Sequence, residues 1–246
     1  MRKIQFFIPA LLMIVSLNGY AQTTAVAHFE KIIISPYIQV TFVEGDKEEV
    51  NIENCTVDMS KLHIEVNNKT LWVYLEGAKQ IPKNEKTYEN GYKETHSIYH
   101  GTVVTATITY KMLTDLSIRG EETQLCKSPI SADKFYLKIY GESKVTMNEV
   151  NFVEMHTKLY GESTLEIKTG AIKEQNYTSY GESKINSSAV NGRTGYIIAY
   201  GEAEFTMNAS DKIKMTAFGE AKLHYKGDPE IVKGLHLGEI QIDKID

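Results

Sequence analysis

Five glutamates recur within the same four-residue motif along the second half of the chain. Tyr-Gly-Glu-Ser occurs at residues 140–143, 160–163 and 180–183, and the variants Tyr-Gly-Glu-Ala and Phe-Gly-Glu-Ala follow at 200–203 and 218–221. Glutamates supply general acid–base chemistry, bind cations or accept hydrogen bonds from hydroxyl groups, and exposed aromatic rings offer rigid apolar area. The candidate binding residues are an aromatic row and a glutamate row: Tyr140, Tyr160, Tyr180, Tyr200 and Phe218, with Glu142, Glu162, Glu182, Glu202 and Glu220.

Catalysis is the weaker interpretation of these carboxylates. A glycosidase needs two carboxyl groups in different environments, so that one is protonated while the other is ionised, and equivalent positions of a repeat supply no such difference. The serines Ser143, Ser163 and Ser183 also recur identically, which favours a structural role over a nucleophile. The sequence has no HExxH, GxSxG, P-loop or GxGxxG motif. We therefore expect no catalytic residue, no metal ligand, no cofactor and no enzyme; a polysaccharide-processing enzyme is the least favoured alternative.

The spacing of the repeats predicts the fold. Weaker copies lie at Arg119-Gly120-Glu121 and Leu237-Gly238-Glu239, and successive repeat glycines are 18–21 residues apart. Alternating residues after each copy, as in 143–147, indicate strands, and turn signals separate the copies. We predict an all-β, single-stranded β-solenoid, similar to a right-handed parallel β-helix, with coils of about 20 residues. An antiparallel meander or barrel with strand units of about 10 residues is the rival architecture.

Alternation also assigns the two faces of each coil. We expect the aromatic and glutamate rows to point outward, with neighbouring members about 4.8 Å apart. Lys144, Lys184 and Lys222 follow the glutamates on the same face and can relieve their mutual repulsion. These rows are either a solvated structural ladder, a cation site or a sugar-stacking platform. The inward set of the first full repeat is Ile139, Gly141, Ser143, Val145 and Met147.

The first half of the chain has less regular strands. Alternating or apolar runs predict strands within 32–34, 38–42, 50–52, 62–66, 71–75 and 103–110, whereas residues 78–101 are polar, lack periodicity and predict a long loop.

The N-terminus has the three parts of a secretory signal. Met1-Arg2-Lys3 is basic, residues 4–17 are almost wholly apolar, and Gly19-Tyr20-Ala21 places small residues before a cleavage site. We predict a signal peptide at residues 1–21 and a mature chain that is not membrane-spanning and is periplasmic, secreted or bound to the cell envelope. The alternative is an N-terminal membrane anchor, although the apolar run is shorter than the roughly 20 residues that span a bilayer.

The charge of the chain argues against a nucleic-acid partner, and its cysteine content allows one disulfide. The net charge is −5, and loss of Arg2 and Lys3 leaves 25 basic against 32 acidic residues. No basic cluster is present, so we expect no nucleic-acid partner.

The two cysteines, Cys55 and Cys126, permit one disulfide in an oxidising compartment, with two buried free thiols as the alternative.

The order of motifs over the mature chain resembles a known family. Phe29-Glu30-Lys31-Ile32 leads into a strand at 38–42, and Val50-Asn51-Ile52, Ile108-Thr109-Tyr110 and Tyr225-Lys226-Gly227-Asp228-Pro229 follow. This order is similar to that of the putative auto-transporter adhesin, head GIN domain family. The resemblance implies one head GIN β-helix domain at 22–246, with N-terminal strands at 29–118 and repeat coils at 119–242. The repeat itself departs from the Gly-Ser-Gly type that is frequent in the family.

Two function classes follow. One is an adhesin-like module that binds a glycan or a cell-surface protein through the two rows, alone or as an oligomer. The other is a structural or envelope-stress protein whose rows only stabilise the fold.

Overall fold

Strands dominate the protein. The structure is a computed structural model that describes residues 22–89 and 92–246. The predicted signal peptide, residues 1–21, lies outside the described residues. Strands account for most of the described residues and form a β-solenoid of about six turns, which confirms the predicted fold class.

Sheet 1 is an eleven-stranded sheet. Its strands, in spatial order, are β1 (Gln22–Ala25), β4 (Glu49–Cys55), β9 (Val104–Tyr110), β3 (Ile38–Glu44), β11 (Thr123–Cys126), β13 (Lys144–Met147), β15 (Thr164–Ile167), β17 (Ser183–Ser187), β19 (Ala203–Asn208), β21 (Ala221–Lys226) and β23 (Ile240–Lys244).

Sheet 2 is a ten-stranded sheet that faces sheet 1 across the core. Its strands, in spatial order, are β22 (Glu230–Leu237), β20 (Lys212–Phe218), β18 (Val190–Tyr200), β16 (Gly170–Tyr180), β14 (Val150–Tyr160), β12 (Ile130–Gly141), β10 (Asp115–Gly120), β2 (Lys31–Ile34), β6 (Thr70–Leu75) and β5 (Leu62–Asn67). A short 3₁₀ helix, Met59–Lys61, precedes β5.

Each repeat coil crosses from sheet 2 to sheet 1 at a corner that carries Tyr-Gly-Glu-Ser or one of its variants. β12 leads into β13, β14 into β15, and so on to β22 and β23, and every pair of neighbouring coils is joined by parallel strands. The register advances by one repeat per coil, so Tyr140 pairs with Tyr160 and Tyr160 with Tyr180. This parallel stacking excludes the antiparallel meander.

The glycine of each repeat lies in the corner itself. Gly161 has a φ of 106° and Gly181 one of 108°, a left-handed backbone that disfavours any residue with a Cβ atom. A Cβ built on Gly161 would lie 2.6 Å from the carbonyl oxygen of Gly141 in the preceding coil. The inward position that we expected for Gly141 is therefore wrong, because this residue is exposed in the bend.

The other inward positions of the repeat are buried as expected. Ile139, Ser143, Val145 and Met147 are all fully buried. The three corner serines bridge successive coils, since Ser143 Oγ donates to the carbonyl of Gly120 over 2.8 Å and Ser163 Oγ to that of Gly141 over 2.9 Å. The small residue at this position thus satisfies a corner carbonyl as well as fitting a narrow turn.

The N-terminal half adds one coil to the solenoid and antiparallel strand pairs beyond it. β2 and β3 form a coil that pairs in parallel with β10 and β11, although about 80 residues separate these elements in sequence. Beyond that coil, β4 pairs antiparallel with β9, and β5 antiparallel with β6. All six strands that we predicted in this half are present. The predicted loop at 78–101 is wrong in part, because it contains the antiparallel hairpin of β7 (Asn84–Glu89) and β8 (Tyr92–Ser97).

The opposite end of the solenoid is open. β22 and β23 are the edge strands of the two sheets, and Leu235 and Leu237 are 69% and 66% exposed. Within residues 22–89 and 92–246, no helix has the length and apolar character to cross a bilayer.

Candidate functional site

The aromatic row is a continuous stack of rings along one corner of the solenoid. The centroids of neighbouring rings, from Tyr140 to Phe218, are 4.7, 4.9, 5.0 and 5.1 Å apart, and the ring planes differ by 2–8°. The cause is the parallel register, which places identical residues one strand spacing apart. Each inner ring therefore has both faces covered by its neighbours.

The ring edges and hydroxyl groups of this row remain accessible. Tyr180 and Tyr200 are 39% and 40% exposed, and Tyr140 and Tyr160 are half-buried. No hydroxyl group of these four tyrosines has a hydrogen-bond partner among the described residues. Burial raises the pKa of Tyr160 above its ordinary value, so its hydroxyl stays a donor at neutral pH.

The glutamate row lies directly after the aromatic row, and all five side chains are exposed. Four of them, Glu162 to Glu220, line a groove of about 340 Å³. None of the five carboxylates forms an ion pair with a described residue. We expected lysines on the same face to reduce the mutual repulsion of these glutamates, but they form no ion pair with the row. Lys184, for example, pairs with Glu204 of β19 at 3.6 Å.

A further residue continues the aromatic row at its N-terminal end. Arg119 is the register partner of Tyr140, and its guanidinium carbon lies 4.8 Å from the centroid of the Tyr140 ring. The Arg119 Nε atom is buried without a hydrogen-bond partner. Such an unpaired buried donor costs about 1–3 kcal/mol of folding free energy, which makes this corner unusual among the seven.

A cavity of about 410 Å³ opens beside Arg119. Its walls come from the turn after β2, the segment after β6, Gly101 in the turn before β9, and the first two repeat corners. The lining includes Pro36, Tyr37, Gln80, Ile81, Pro82, Arg119, Glu121, Glu122, Tyr140 and Glu142.

Glu122 fixes the shape of the first corner. It occupies the position of the later corner serines, is 7% exposed, and accepts a hydrogen bond of 3.1 Å from the backbone N–H of Glu121. Burial raises the pKa of this carboxyl above its ordinary value, although backbone N–H groups oppose the shift. Its role is to hold the corner rather than to face the cavity as a free carboxylate.

A second aromatic cluster lies on the outer face of β5 and β6. Trp72 is half-buried and its indole N–H donates to Ser35 Oγ over 2.9 Å, while Lys79 Nζ lies 4.4 Å from the Trp72 ring and 4.0 Å from that of Tyr74. Glu65 holds Lys79 at 3.2 Å. The lysine therefore contacts both rings, and an open groove of about 700 Å³ lies beside them.

The cysteines are both free thiols. Cys55 lies at the end of β4 and Cys126 at the end of β11, and β9 and β3 separate these strands. Three strand spacings amount to about 14 Å, twice the Cα separation of about 7 Å that a disulfide can bridge. Burial raises the pKa of the Cys126 thiol to about 12, so it is an inert core group.

The residues from 22 to 246 that the structure describes contain no cluster of three or more His, Cys, Asp or Glu side chains arranged to hold a metal ion.

The sequence led us to expect both rows on one outward strand face, whereas the structure places them at the corner between the two sheets. The cavity around Arg119 was not predicted. The available signal was the weak copy Arg119-Gly120-Glu121, in which arginine stands where later repeats have tyrosine. Nothing local indicated that Ile81 and Pro82 lie against it.

Several solved structures of bacterial proteins have a similar fold. A putative adhesin from Bacteroides fragilis has a TM-score of 0.75 at 17% identity, over 92% of this chain and 96% of that one. A putative adhesin from Parabacteroides merdae has a TM-score of 0.67 at 15% identity, over 93% and 98%. A protein from Parabacteroides distasonis described as a putative lipid binding protein has a TM-score of 0.61 at 17% identity, over 93% and 98%. At such identities the likeness concerns the fold alone.

No curated protein matches the sequence. The family model of the putative auto-transporter adhesin, head GIN domain, matches residues 28–229, which include the N-terminal coil and six of the seven repeat corners. With that match over most of its length, the chain belongs to the putative auto-transporter adhesin, head GIN domain family.

Proposed function

We propose that this protein is a non-enzymatic, secreted or cell-envelope protein that acts as an adhesin-like binding module. Its partner is a glycan or a cell-surface protein, held along the corner that carries the aromatic and glutamate rows. The family and two of the neighbours described above are named as adhesins, which supports this class of function.

The observation that carries the proposal is the unused hydrogen-bonding capacity of this corner. Four tyrosine hydroxyls and five carboxylates recur once per coil without a protein partner among the described residues. A carboxylate accepts hydrogen bonds, and a phenol both donates and accepts. A partner with regularly spaced hydroxyl or amide groups would satisfy both rows at once.

The mode of contact differs from ordinary sugar stacking. Because neighbouring rings cover each other at 4.7–5.1 Å, the row offers edges and hydroxyls instead of ring faces. Recognition would therefore rest on hydrogen bonds to an extended partner that runs parallel to the solenoid axis.

The second candidate is a structural role without a ligand. It is favoured by the same stacking, since cross-strand aromatic pairs stabilise a sheet by about 0.2–1 kcal/mol each. The two candidates differ in what the hydroxyl groups do, and this difference can be tested directly.

The test compares residues 22–246 with a variant that keeps the stack but loses hydroxyls, Tyr160→Phe with Tyr180→Phe. Binding to a glycan array and to a panel of surface proteins is measured with and without calcium, because the carboxylate row attracts cations. We expect the double variant to melt like the parent and to lose binding. The matched control is Tyr136→Phe, an exposed tyrosine outside the row. A parent that binds nothing on the panel, or a double variant that binds unchanged, would contradict the proposal.

A further inference from the structure

The cavity beside Arg119 combines three kinds of surface at the head of the aromatic row. It has one cation, an apolar wall that includes Pro36, Ile81 and Pro82, and two exposed carboxylates, those of Glu121 and Glu142. Its volume of about 410 Å³ falls in the range of small-molecule sites.

Arg119 supplies the strongest indication of a ligand. Its guanidinium group packs on Tyr140 at 4.8 Å but makes no hydrogen bond or ion pair with any described residue, and its Nε atom is buried. A guanidinium group has five donors and no acceptor function, and its planar fork matches a carboxylate through two parallel hydrogen bonds. A planar anion in the cavity would supply the partner that the guanidinium group lacks.

The other residues that line the cavity indicate which further groups a bound anion would need. The carboxylates of Glu121 and Glu142 repel a bare anion but accept hydrogen bonds from hydroxyl groups. The apolar wall suits the C–H face of a ring, and Ile81, which is 82% exposed, gains a partner there. A ring that bears one carboxylate and several hydroxyls meets all three requirements.

We propose that this cavity binds an acidic monosaccharide unit, a uronic acid, whose carboxylate pairs with Arg119 and whose hydroxyl groups donate hydrogen bonds to the carboxylates of Glu121 and Glu142. The inference rests on the proposed function in that it names the glycan class, and it places the charged unit at one end of the two rows.

The test uses residues 22–246 with two probes that differ mainly in the carboxylate, methyl β-D-glucuronide and methyl β-D-glucoside. We expect the glucuronide to bind with a Kd of about 1 mM or tighter, and the glucoside at least about tenfold more weakly. Arg119→Gln and Arg119→Lys should each weaken glucuronide binding by about tenfold, because both lose the bidentate contact. Lys158→Gln, which removes an exposed positive charge elsewhere in sheet 2, is the matched control.

A measurement on the unaltered side chain keeps the test decisive if the arginine variants do not fold. The chain from Gln22 has two arginines, Arg119 and Arg193, so their Nε–H signals in a ¹⁵N–¹H spectrum are assigned with one Arg193→Lys variant. Glucuronide should shift the Arg119 signal and leave that of Arg193, which is paired with Asp211, in place.

Three results would overturn the inference: an unmoved Arg119 signal, equal affinity for the glucoside, or inorganic phosphate binding as tightly as glucuronide, which would mark a plain anion or phospholipid headgroup site. Failure of the proposed function is a separate outcome. Array binding that depends on the Tyr160 and Tyr180 hydroxyls but not on Arg119 would retain the adhesin-like module and remove only the uronic acid site.

Discussion

Ser163 Oγ donates a hydrogen bond of 2.9 Å to the carbonyl oxygen of Gly141, one coil earlier. The bond joins two Tyr-Gly-Glu-Ser corners at the point where the backbone turns from one sheet to the other. It shows why the repeat specifies a small hydroxyl residue next to the exposed glutamate, although alanine takes its place in the last two full corners.

Replacing this serine should weaken the fold by the value of one hydrogen bond. For Ser163→Ala we expect a loss of about 1 kcal/mol in the free energy of unfolding, because the side chain is buried and its removal leaves the corner carbonyl with fewer partners. Chemical denaturation measures this change. Ser131→Ala, at an exposed position, should stay within about 0.5 kcal/mol of the parent. Equal stability of the two variants would show that the bridge contributes nothing.

The corner glycine should be far less tolerant than the serine. Gly161→Ala combines a φ of 106° with a Cβ atom that would lie 2.6 Å from the Gly141 carbonyl oxygen. We expect a loss of more than about 2 kcal/mol, from backbone strain and displacement of the neighbouring coil. Gly101→Ala is the control, because its φ is also positive, at 59°, but no atom lies within 4 Å of the added Cβ. A urea titration in which the two variants unfold together would refute the steric account.

These corners show how far the sequence alone predicts the fold. The spacing of Gly141, Gly161 and Gly181 determines the coil length, and alternation correctly places Val145 and Met147 inside. It misplaces the glycine, because strict alternation assumes a straight strand and the chain bends at this residue.

The site at Arg119 could not be predicted for a different reason. It depends on parallel pairing of β2 with β10, which brings Pro36 to a corner that is distant in sequence, and of β6 with β2, which brings the segment around Ile81 there. The hairpin of β7 and β8 was missed because its sequence has no apolar alternation to distinguish a strand from a loop.

Stability should depend on pH through Glu122. Burial raises the pKa of its carboxyl in the folded chain above the ordinary value of 4.5. At a pH between the ordinary pKa and the raised one, the folded chain therefore binds more protons than the unfolded chain. The contribution of this residue therefore falls as the pH rises through that window. We expect Glu122→Gln to gain stability relative to the parent as the pH increases from about 4 to 7, in thermal melts at matched ionic strength. Glu121→Gln, at the exposed neighbouring position, should follow the parental curve, and a parallel course for Glu122→Gln would contradict the assignment.

The aromatic stack should contribute to stability through its ring faces. Tyr160→Ala removes two stacked pairs, those with Tyr140 and Tyr180. At about 0.2–1 kcal/mol for each pair, the expected loss is about 0.4–2 kcal/mol, read from chemical denaturation. Tyr160→Phe keeps both pairs and should unfold like the parent. If the phenylalanine variant is destabilised as much as the alanine variant, the hydroxyl and not the stack is the stabilising element.

The N-terminal signal remains a prediction, because residues 1–21 lie outside the described part of the chain. Small residues at Gly19 and Ala21 place the cleavage site before Gln22, since signal peptidase accepts only small side chains at these two positions. Mass spectrometry of the protein from the envelope or medium of cells that express the full chain should therefore give an N-terminus at Gln22. Ala21→Tyr should block cleavage and retain the precursor, whereas Thr24→Tyr, beyond the site, should be processed normally. An envelope or secreted form that still begins at Met1 would show that the segment is an anchor and not a cleaved signal.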